Sequence, residues 1–215
     1  MRLTDLHNHT TFSYDGTNTP EQIIENAVSK GISVVGISDH QFSIGNRLGE
    51  YIEKINSLKK KYEDKIEVKC GLEIGTRPSP SDLSVSLANK LDYCIFECLD
   101  SPVAMDFFEF LEWVKLFNIP KGFAHTDIFE LSDRYGIDII STMKKNNIFW
   151  EINTSGNYQY YYDFITNKEK RNRITKSGIA LSVGSDTHWI HNYNISKIKS
   201  AHSLILSMGN PIIFS

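Results

Sequence analysis

The sequence predicts an α/β fold in which seven βα units close into one parallel barrel. Three observations carry this. Short aliphatic or β-branched runs alternate with segments of helical apolar spacing, which argues for a parallel sheet. Imidazole and carboxylate groups recur at the ends of those runs: His7 and His9 in LTDLHNHTTFSYDG, His40 after VVGISD, Glu73 in CGLEIG, His125 in GFAH, and Asp186 with His188 in VGSDTH. An open sheet gathers ligands at one switch point, whereas a barrel presents the C-terminal ends of all its strands. Third, strand parity places small or polar residues inside. If Asp186 points inward, so do Gly184 and Ser182, while Leu181 and Val183 face the helices; if His125 points inward, Ala124 faces out. In the fourth strand Ile95, Glu97 and Leu99 would face inward and Cys94, Phe96 and Cys98 outward.

The first strand ends in His7-x-His9, and alternation projects both rings from one face. Thr19-Pro20-Glu21-Gln22 then supplies an N-cap, a first-turn proline and acid near the positive helix end, so a helix runs to about Lys30, where Gly31 stops it. Ile32 to Ser38 is the second strand. Leu48, Tyr51, Ile52, Ile55 and Leu58 keep helical spacing across Arg47 to Lys61. Lys59-Lys60-Lys61 closes that helix where its dipole favours cations, with Glu63 and Asp64 following, and reads as a solvated helix end. Strand Ile66 to Ile74 precedes a helix after Pro80-Ser81-Asp82. Strand Asp92 to Leu99 leads to a helix from about Ala104 to Phe117, and strand Gly122 to His125 to a helix through Ile137 to Lys145. Strand Ile148 to Thr154 leads to a helix near Tyr161 to Lys176, and strand Ile179 to Ser185 to a last helix, Ser196 to Met208. The loops are short except Ile128 to Asp133 and the tyrosine-rich Asn157 to Tyr162.

With 215 residues, 40% hydrophobic and 23% charged, the chain has the size of one domain, expected over residues 1–215. Its net charge of -3 gives no global attraction to nucleic acid or anionic membrane. No run is long and apolar enough to span a bilayer, and Met1-Arg2 leads into Thr4 and Asp5 without an apolar signal region, so a cytoplasmic protein is expected. Cys70, Cys94 and Cys98, odd in number and inside strand-like runs, fit reduced thiols without a catalytic role.

The segments DLHNHTTFSYDG, GISDH, GLEIG, AHTD, EINTSG and GSDTH, in that order and across nearly the whole chain, resemble the polymerase and histidinol phosphatase (PHP) family of metal-dependent phosphoesterases. The resemblance implies a distorted seven-unit βα barrel with two to three divalent ions in a cleft at the C-terminal strand ends. Carried over by position, His7, His9, Glu73 and Asp186 hold one ion. Glu73 bridges to a second ion that also takes His125, and Asp15, His40 and His188 hold a third. Such ligands suit zinc, manganese or iron. Bridged ions acidify a shared water and neutralise phosphoryl charge. The implied activity is hydrolysis of a small phosphomonoester (a nucleotide, sugar phosphate or histidinol-phosphate-like compound), with Glu73, Asp186 and His188 at the catalytic centre. Asp5 and Asp39, beside ligand positions, are candidate acceptors that orient the histidines.

Two departures from the family pattern matter. Where many members end the fourth strand in a histidine, this chain reads FECLD, with Leu99 in that place and Glu97 and Asp100 beside it. The second ion would then keep Glu73 and His125 alone and be weakly held. EINTSG is followed by Asn157-Tyr158-Gln159-Tyr160 rather than the leucine and arginine usual in the family's histidinol phosphatases, which weakens histidinol phosphate as a candidate. Arg77, then Arg47 and Arg134, are the candidate phosphate-binding residues. Tyr158, Tyr160, Tyr161 and Tyr162 either wall the cleft or pack the sixth helix. His191 and His202 lie outside the motifs and are read as structural or exposed. Two other readings stand beside the phosphatase. One is a PHP or TatD-like nuclease, disfavoured by the acidic balance, with Asp186-Thr187-His188 favouring PHP over TatD. The other is a catalytically weak metal-binding regulatory module, which Leu99 leaves open.

Overall fold

The computed structural model describes residues 2–77 and 83–215. Among them, eight strands form two parallel sheets. The first is β1 (Thr4–Asp5), β2 (Val34–Ile37) and β3 (Glu67–Cys70); the second is β4 (Glu73–Gly75), β5 (Cys94–Glu97), β6 (Lys121–Phe123), β7 (Ile148–Asn153) and β8 (Leu181–Gly184), each in sequence order. The strands do not form one continuous closed sheet. Backbone hydrogen bonds nevertheless link the two: Leu6 N donates to Val183 O at 2.9 Å, and Glu73 N to Asp39 O at 3.1 Å.

The expected third strand, Ile66 to Ile74, is thus two strands, β3 paired with β2 and β4 paired with β5. The cause is a buried tyrosine. The Tyr93 hydroxyl donates to Leu6 O, and its ring lies so close that a Cβ on Gly71 would sit 2.2 Å from Tyr93 Cζ, and one on Gly36 2.1 Å from Tyr93 Oη. Glycine at both positions lets the tyrosine fill the space where the sheets meet. Tyr51 braces the break by sharing its hydroxyl proton between Ile37 O and Gly71 O, each 2.9 Å away.

The helices are α1 (Pro20–Ser29), α2 (Gln41–Ile44), α3 (Leu48–Tyr62), α4 (Val85–Ala88), α5 (Phe107–Val114), α6 (Ile128–Tyr135), α7 (Ile139–Lys145), α8 (Gln159–Thr166), α9 (Lys168–Ser177) and α10 (Ile195–Met208). Thr19 and Gln22 close a reciprocal capping box on α1. Pro80-Ser81-Asp82 lies outside the described residues. The stretch Ile128 to Asp133 is helical, not a loop, because Asp127 accepts from Phe129 N and Glu130 N at 2.9 and 3.0 Å while Gly136, at φ 63°, ends the helix. The helix expected near Tyr161 to Lys176 is divided in two by Asn167, whose side chain caps α9. Among the described residues, no helix is long and apolar enough to cross a membrane.

A large core fills the space between sheets and helices, and a smaller one of Leu6, Val34, Tyr93, Ile95, Ala124 and Phe149 lies on the other face of the strands. Ile95 therefore faces inward and Cys94 and Phe96 outward, as parity requires. Two parity expectations fail. Ala124 is inside, and Leu99 is buried in the helix-side core. Cys98 at φ 65° and His125 at φ 28° break the alternation just where those strands end. Cys70, Cys94 and Cys98 are free thiols.

His202, on α10, is fully buried, with Nε2 donating to Thr4 O at 2.8 Å. Its replacement by alanine leaves that carbonyl without a partner and is expected to lower stability by about 1–3 kcal/mol. The exposed His191 should tolerate alanine within about 0.5 kcal/mol. Urea unfolding of both variants checks the contrast, and equal losses would contradict it.

Candidate metal centre

Every ligand position expected from the motifs arrives in one cluster, formed where β1, β2, β6 and β8 end and β4 begins, with Asp15 reaching it from the loop after β1. His7 and His9 follow β1, His40 follows β2, Glu73 opens β4, His125 follows β6, and Asp186 and His188 follow β8. Glu73 is central. Its Oε1 lies 3.2 Å from His7 Nε2 and 3.0 Å from His125 Nε2, while Oε2 lies 2.8 Å from His40 Nδ1 and 3.4 Å from His9 Nε2. Asp186 Oδ1 is 3.6, 3.4 and 3.5 Å from His7, His9 and His188. Asp15 Oδ2 is 3.5 Å from His40 Nε2 and 3.2 Å from His188 Nε2. Four overlapping donor groups result, each with its atoms within 4.8 Å of one another: His7–His9–Asp186, His7–Glu73–His125, His9–Asp15–His40–His188, and His40–Glu73–Glu97.

The hydrogen bonds behind the cluster show what it is built to hold. His7 Nδ1 faces Glu151 Oε1 at 2.7 Å, which puts that ring's proton on Nδ1. His9 Nδ1 faces Ser13 Oγ at 3.2 Å, and that hydroxyl spends its own proton on Asp39 Oδ1 at 2.7 Å. Both rings therefore turn an Nε2 lone pair forward, and the two Nε2 atoms are 3.0 Å apart. Facing lone pairs repel unless a proton or a metal cation lies between them. Glu73 Oε2, His40 Nδ1 and Asp15 Oδ1 are also buried without an aligned hydrogen bond. The donor set fits divalent cations.

A family model described as PHP domain matches residues 5–206. The chain belongs to the PHP domain family. It is similar to a histidinol-phosphatase of Lactococcus lactis subsp. lactis, 32% identical over 83 residues that make up 35% of this chain and 30% of that protein. A probable phosphatase of Clostridium acetobutylicum is 28% identical over 224 aligned positions, covering 97% of this chain and 87% of the relative. Among solved structures, the histidinol phosphate phosphatase of Lactococcus lactis complexed with zinc, L-histidinol and phosphate superposes with a TM-score of 0.71 at 19% identity, covering 98% of this chain and 95% of that one. The putative histidinol phosphatase of Listeria monocytogenes gives 0.62 at 19% identity, covering 89% and 97%. At such identities the structural likeness is one of fold.

Electrostatics around this PHP centre follow from its carboxylates. Burial opposes protonation of His7, but Glu151, Glu73 and Asp186 outweigh it and hold the imidazole well above its usual range. His40 is likewise desolvated yet pushed up to about 10 by Glu73 and Glu97. Burial wins at His9, which is lowered. Glu73 is desolvated, but His7, His125 and His40 hold it well below the ordinary carboxylate range. A cation bound among these groups would compete with their protons, so its loading would be linked to proton release.

Glu151 escaped the motif reading although it is the acid of EINTSG, on the inner parity of β7. Besides His7 it holds His125 N at 2.8 Å and Asn153 Nδ2 at 3.1 Å through Oε2. In Glu151→Gln the amide NH₂ must face either those two donors or His7 Nδ1. The latter drives the imidazole proton onto Nε2, the cation-facing atom. Metal affinity, measured by chelator competition, should fall about 10- to 100-fold; unchanged affinity would show that Glu151 does not set the tautomer. Asp39 orients His9 through Ser13 as described, whereas Asp5 accepts from Ser185 N and Oγ, each at 2.8 Å, and so fixes the loop carrying Asp186.

The candidate arginines stand at or beyond the rim. Arg77 lies 2.8 Å from Cys98 Sγ, which is 3.3 Å from Glu97 Oε2. Arg134 pairs with Glu130 at 2.7 Å and donates to Asp100 O and Ser101 O. Arg47 donates to Ser43 O at 3.2 Å and lies over the Phe12 ring. Leu99 does not stand at the mouth as expected. Asp100 accepts from Asp127 N at 3.1 Å, and Glu97 takes the inward place. The tyrosine run divides between its two roles: Tyr158 stacks on His125 with centroids 4.3 Å apart and donates to Asp186 Oδ2 at 3.3 Å, while Tyr160 and Tyr161 are core residues. Beside His125 opens a cavity of about 500 Å³ lined by Asp100, Asp127, Glu130, Tyr158, Gln159 and Asp163.

Proposed function

We propose that this PHP chain is a metal-dependent phosphoesterase acting on a small phosphomonoester. The observation that carries the reading is the pair of forward-facing His7 and His9 Nε2 atoms beside the Glu73 and Asp186 carboxylates. Divalent ions held there (zinc, manganese or iron, two or three per chain) would supply Lewis-acid charge to a phosphoryl group and acidify a water. Glu73, touching four histidines, sets the spacing between the donor groups. Asp186, pinned by Tyr158 and Asn153, holds His7, His9 and His188 together. His188, a third exposed, is the member of the set best placed to meet an ester oxygen arriving from solvent.

The printed names of the Lactococcus relatives make histidinol phosphate one substrate to test beside nucleotides and sugar phosphates. We read residues 1–215 as one domain whose two sheets approximate a distorted seven-unit βα barrel, a reading supported by the Leu6–Val183 and Asp39–Glu73 backbone bonds. The test is phosphate release from p-nitrophenyl phosphate, histidinol phosphate, nucleotides and sugar phosphates by chelator-treated protein with single metals restored, alongside cleavage of short single-stranded DNA. Metal-dependent turnover of a monoester is expected. No release with any metal would refute the reading, and DNA cleavage instead would favour the nuclease.

A further inference from the structure

We propose that Glu97 is a metal ligand, forming with Glu73 Oε2 and His40 Nδ1 a divalent-cation site at the end of β5 where the family pattern has a histidine. The assignment rests on the reading of the centre as metal-binding but not on phosphatase activity. Glu97 Oε1 lies 3.6 Å from His40 Nδ1, and His40, Glu73 and Glu97 each place a donor atom within 4.8 Å of the others. Two of those donors point to a missing partner independently of Glu97. Glu73, 1% exposed, and His40, 8% exposed, leave Oε2 and Nδ1 without an aligned hydrogen bond, although the atoms are only 2.8 Å apart. A buried carboxylate oxygen and an imidazole nitrogen in that state need positive charge between them, which a proton or a metal ion can supply, and Glu97 completes a donor set for the metal.

The backbone explains why Glu97 rather than a later residue fills the role. β5 pairs Glu97 with Gly75, so the Glu97 carboxylate lies beside β4, with Oε1 3.4 Å from where a Cβ on Gly75 would be. At Cys98 the chain turns into left-handed conformation, φ 65°, and sends Leu99 into the helix-side core. Glu97 is thereby the last inward residue of the strand. Its other oxygen accepts from the Cys98 thiol at 3.3 Å, a weak donor that leaves the carboxylate charge largely uncompensated. With His40 committed through Nδ1, His9, Asp15 and His188 remain as a three-donor group next to it.

Two carboxylates and one imidazole make a harder donor set than one rich in histidine, so this site should discriminate against manganese and iron(II) relative to zinc less than the histidine-rich groups do. Manganese alone is the probe. Binding to wild-type protein, Glu97→Gln and Glu97→His is followed by the electron paramagnetic resonance signal of free Mn²⁺, with circular dichroism reporting the fold. Glu97→Gln is expected to lose one Mn²⁺ per chain or to hold it at least about 10-fold more weakly, while Glu97→His keeps the ion and shifts preference toward zinc. A folded Glu97→Gln that binds the same number of ions with the same affinity overturns the assignment. If the variants do not fold, anomalous diffraction from manganese-soaked wild-type crystals decides: a peak at coordination distance from Glu97 Oε1 supports it, and peaks among the histidines with none at Glu97 overturn it. Wild-type protein that binds neither manganese nor zinc would overturn it together with the metal reading of the whole centre.

Discussion

Glu73→Gln is expected to lower phosphatase turnover by at least about 100-fold while the protein stays folded. Glutamine has nearly the shape of glutamate, so packing around this buried position changes little. What changes is charge and lone-pair count: one of two oxygens, each now facing two histidines, becomes an NH₂ that repels a cation. Loss of groups one layer further out commonly costs about 10- to 100-fold in metal affinity or activity, and a shared carboxylate should exceed that. Asp186→Asn should behave alike, since Asp186 Oδ1 meets three imidazoles. Turnover at saturating metal with far-UV circular dichroism is the measurement. Near wild-type rates would remove these carboxylates from the centre.

A single methyl at position 184 should disable the same centre from behind. Gly184 ends β8 against the histidine strand, and a Cβ there would sit 2.0 Å from Glu151 Oε1 and 2.6 Å from His7 Cβ. Neither neighbour can retreat freely, because Glu151 is held by His7, His125 and Asn153 at once. Overpacking of this kind typically costs about 1–3 kcal/mol. Gly184→Ala is therefore expected to melt at lower temperature and to bind metal at least about 10-fold more weakly, because displacing Glu151 frees the His7 proton to move. Differential scanning fluorimetry and chelator competition read the two effects; an unchanged melting point with unchanged affinity would mean the packing there is looser than these distances say.

What could be read from sequence was whatever follows a fixed period or a local cap. Thr19 and Gln22 announce α1, the spacing Leu48–Tyr51–Ile52–Ile55 announces α3, and the motif His, Glu and Asp residues mark the eight candidate ligand positions that the fold brings together. Parity failed where the backbone leaves the strand conformation. Leu99 and Ala124 were placed on the wrong faces because Cys98 and His125 turn left-handed, and alternation cannot foresee such a turn without a glycine to mark it. The split of the third strand escaped for a different reason: it depends on Tyr93 meeting Gly36 and Gly71, positions far apart in the chain. Glu151 was hidden because its role lies in a tautomer, which no spacing records. Its inward parity beside Asn153 was the available signal.

Left-handed backbone at Cys98, His125 and Asp186, with φ of 65°, 28° and 55°, has a further consequence for the life of the protein. Non-glycine residues held in this region cost about 1–3 kcal/mol each, against a total of about 5–15 kcal/mol for an ordinary domain. The cation-free chain therefore stands closer to unfolding than its well-packed core suggests. Cations held at the proposed centre only in the folded state would offset that strain by mass action. Protease susceptibility, and with it cellular turnover, should accordingly follow metal supply: a starved cell would clear the chain faster, and a replete one would let it accumulate.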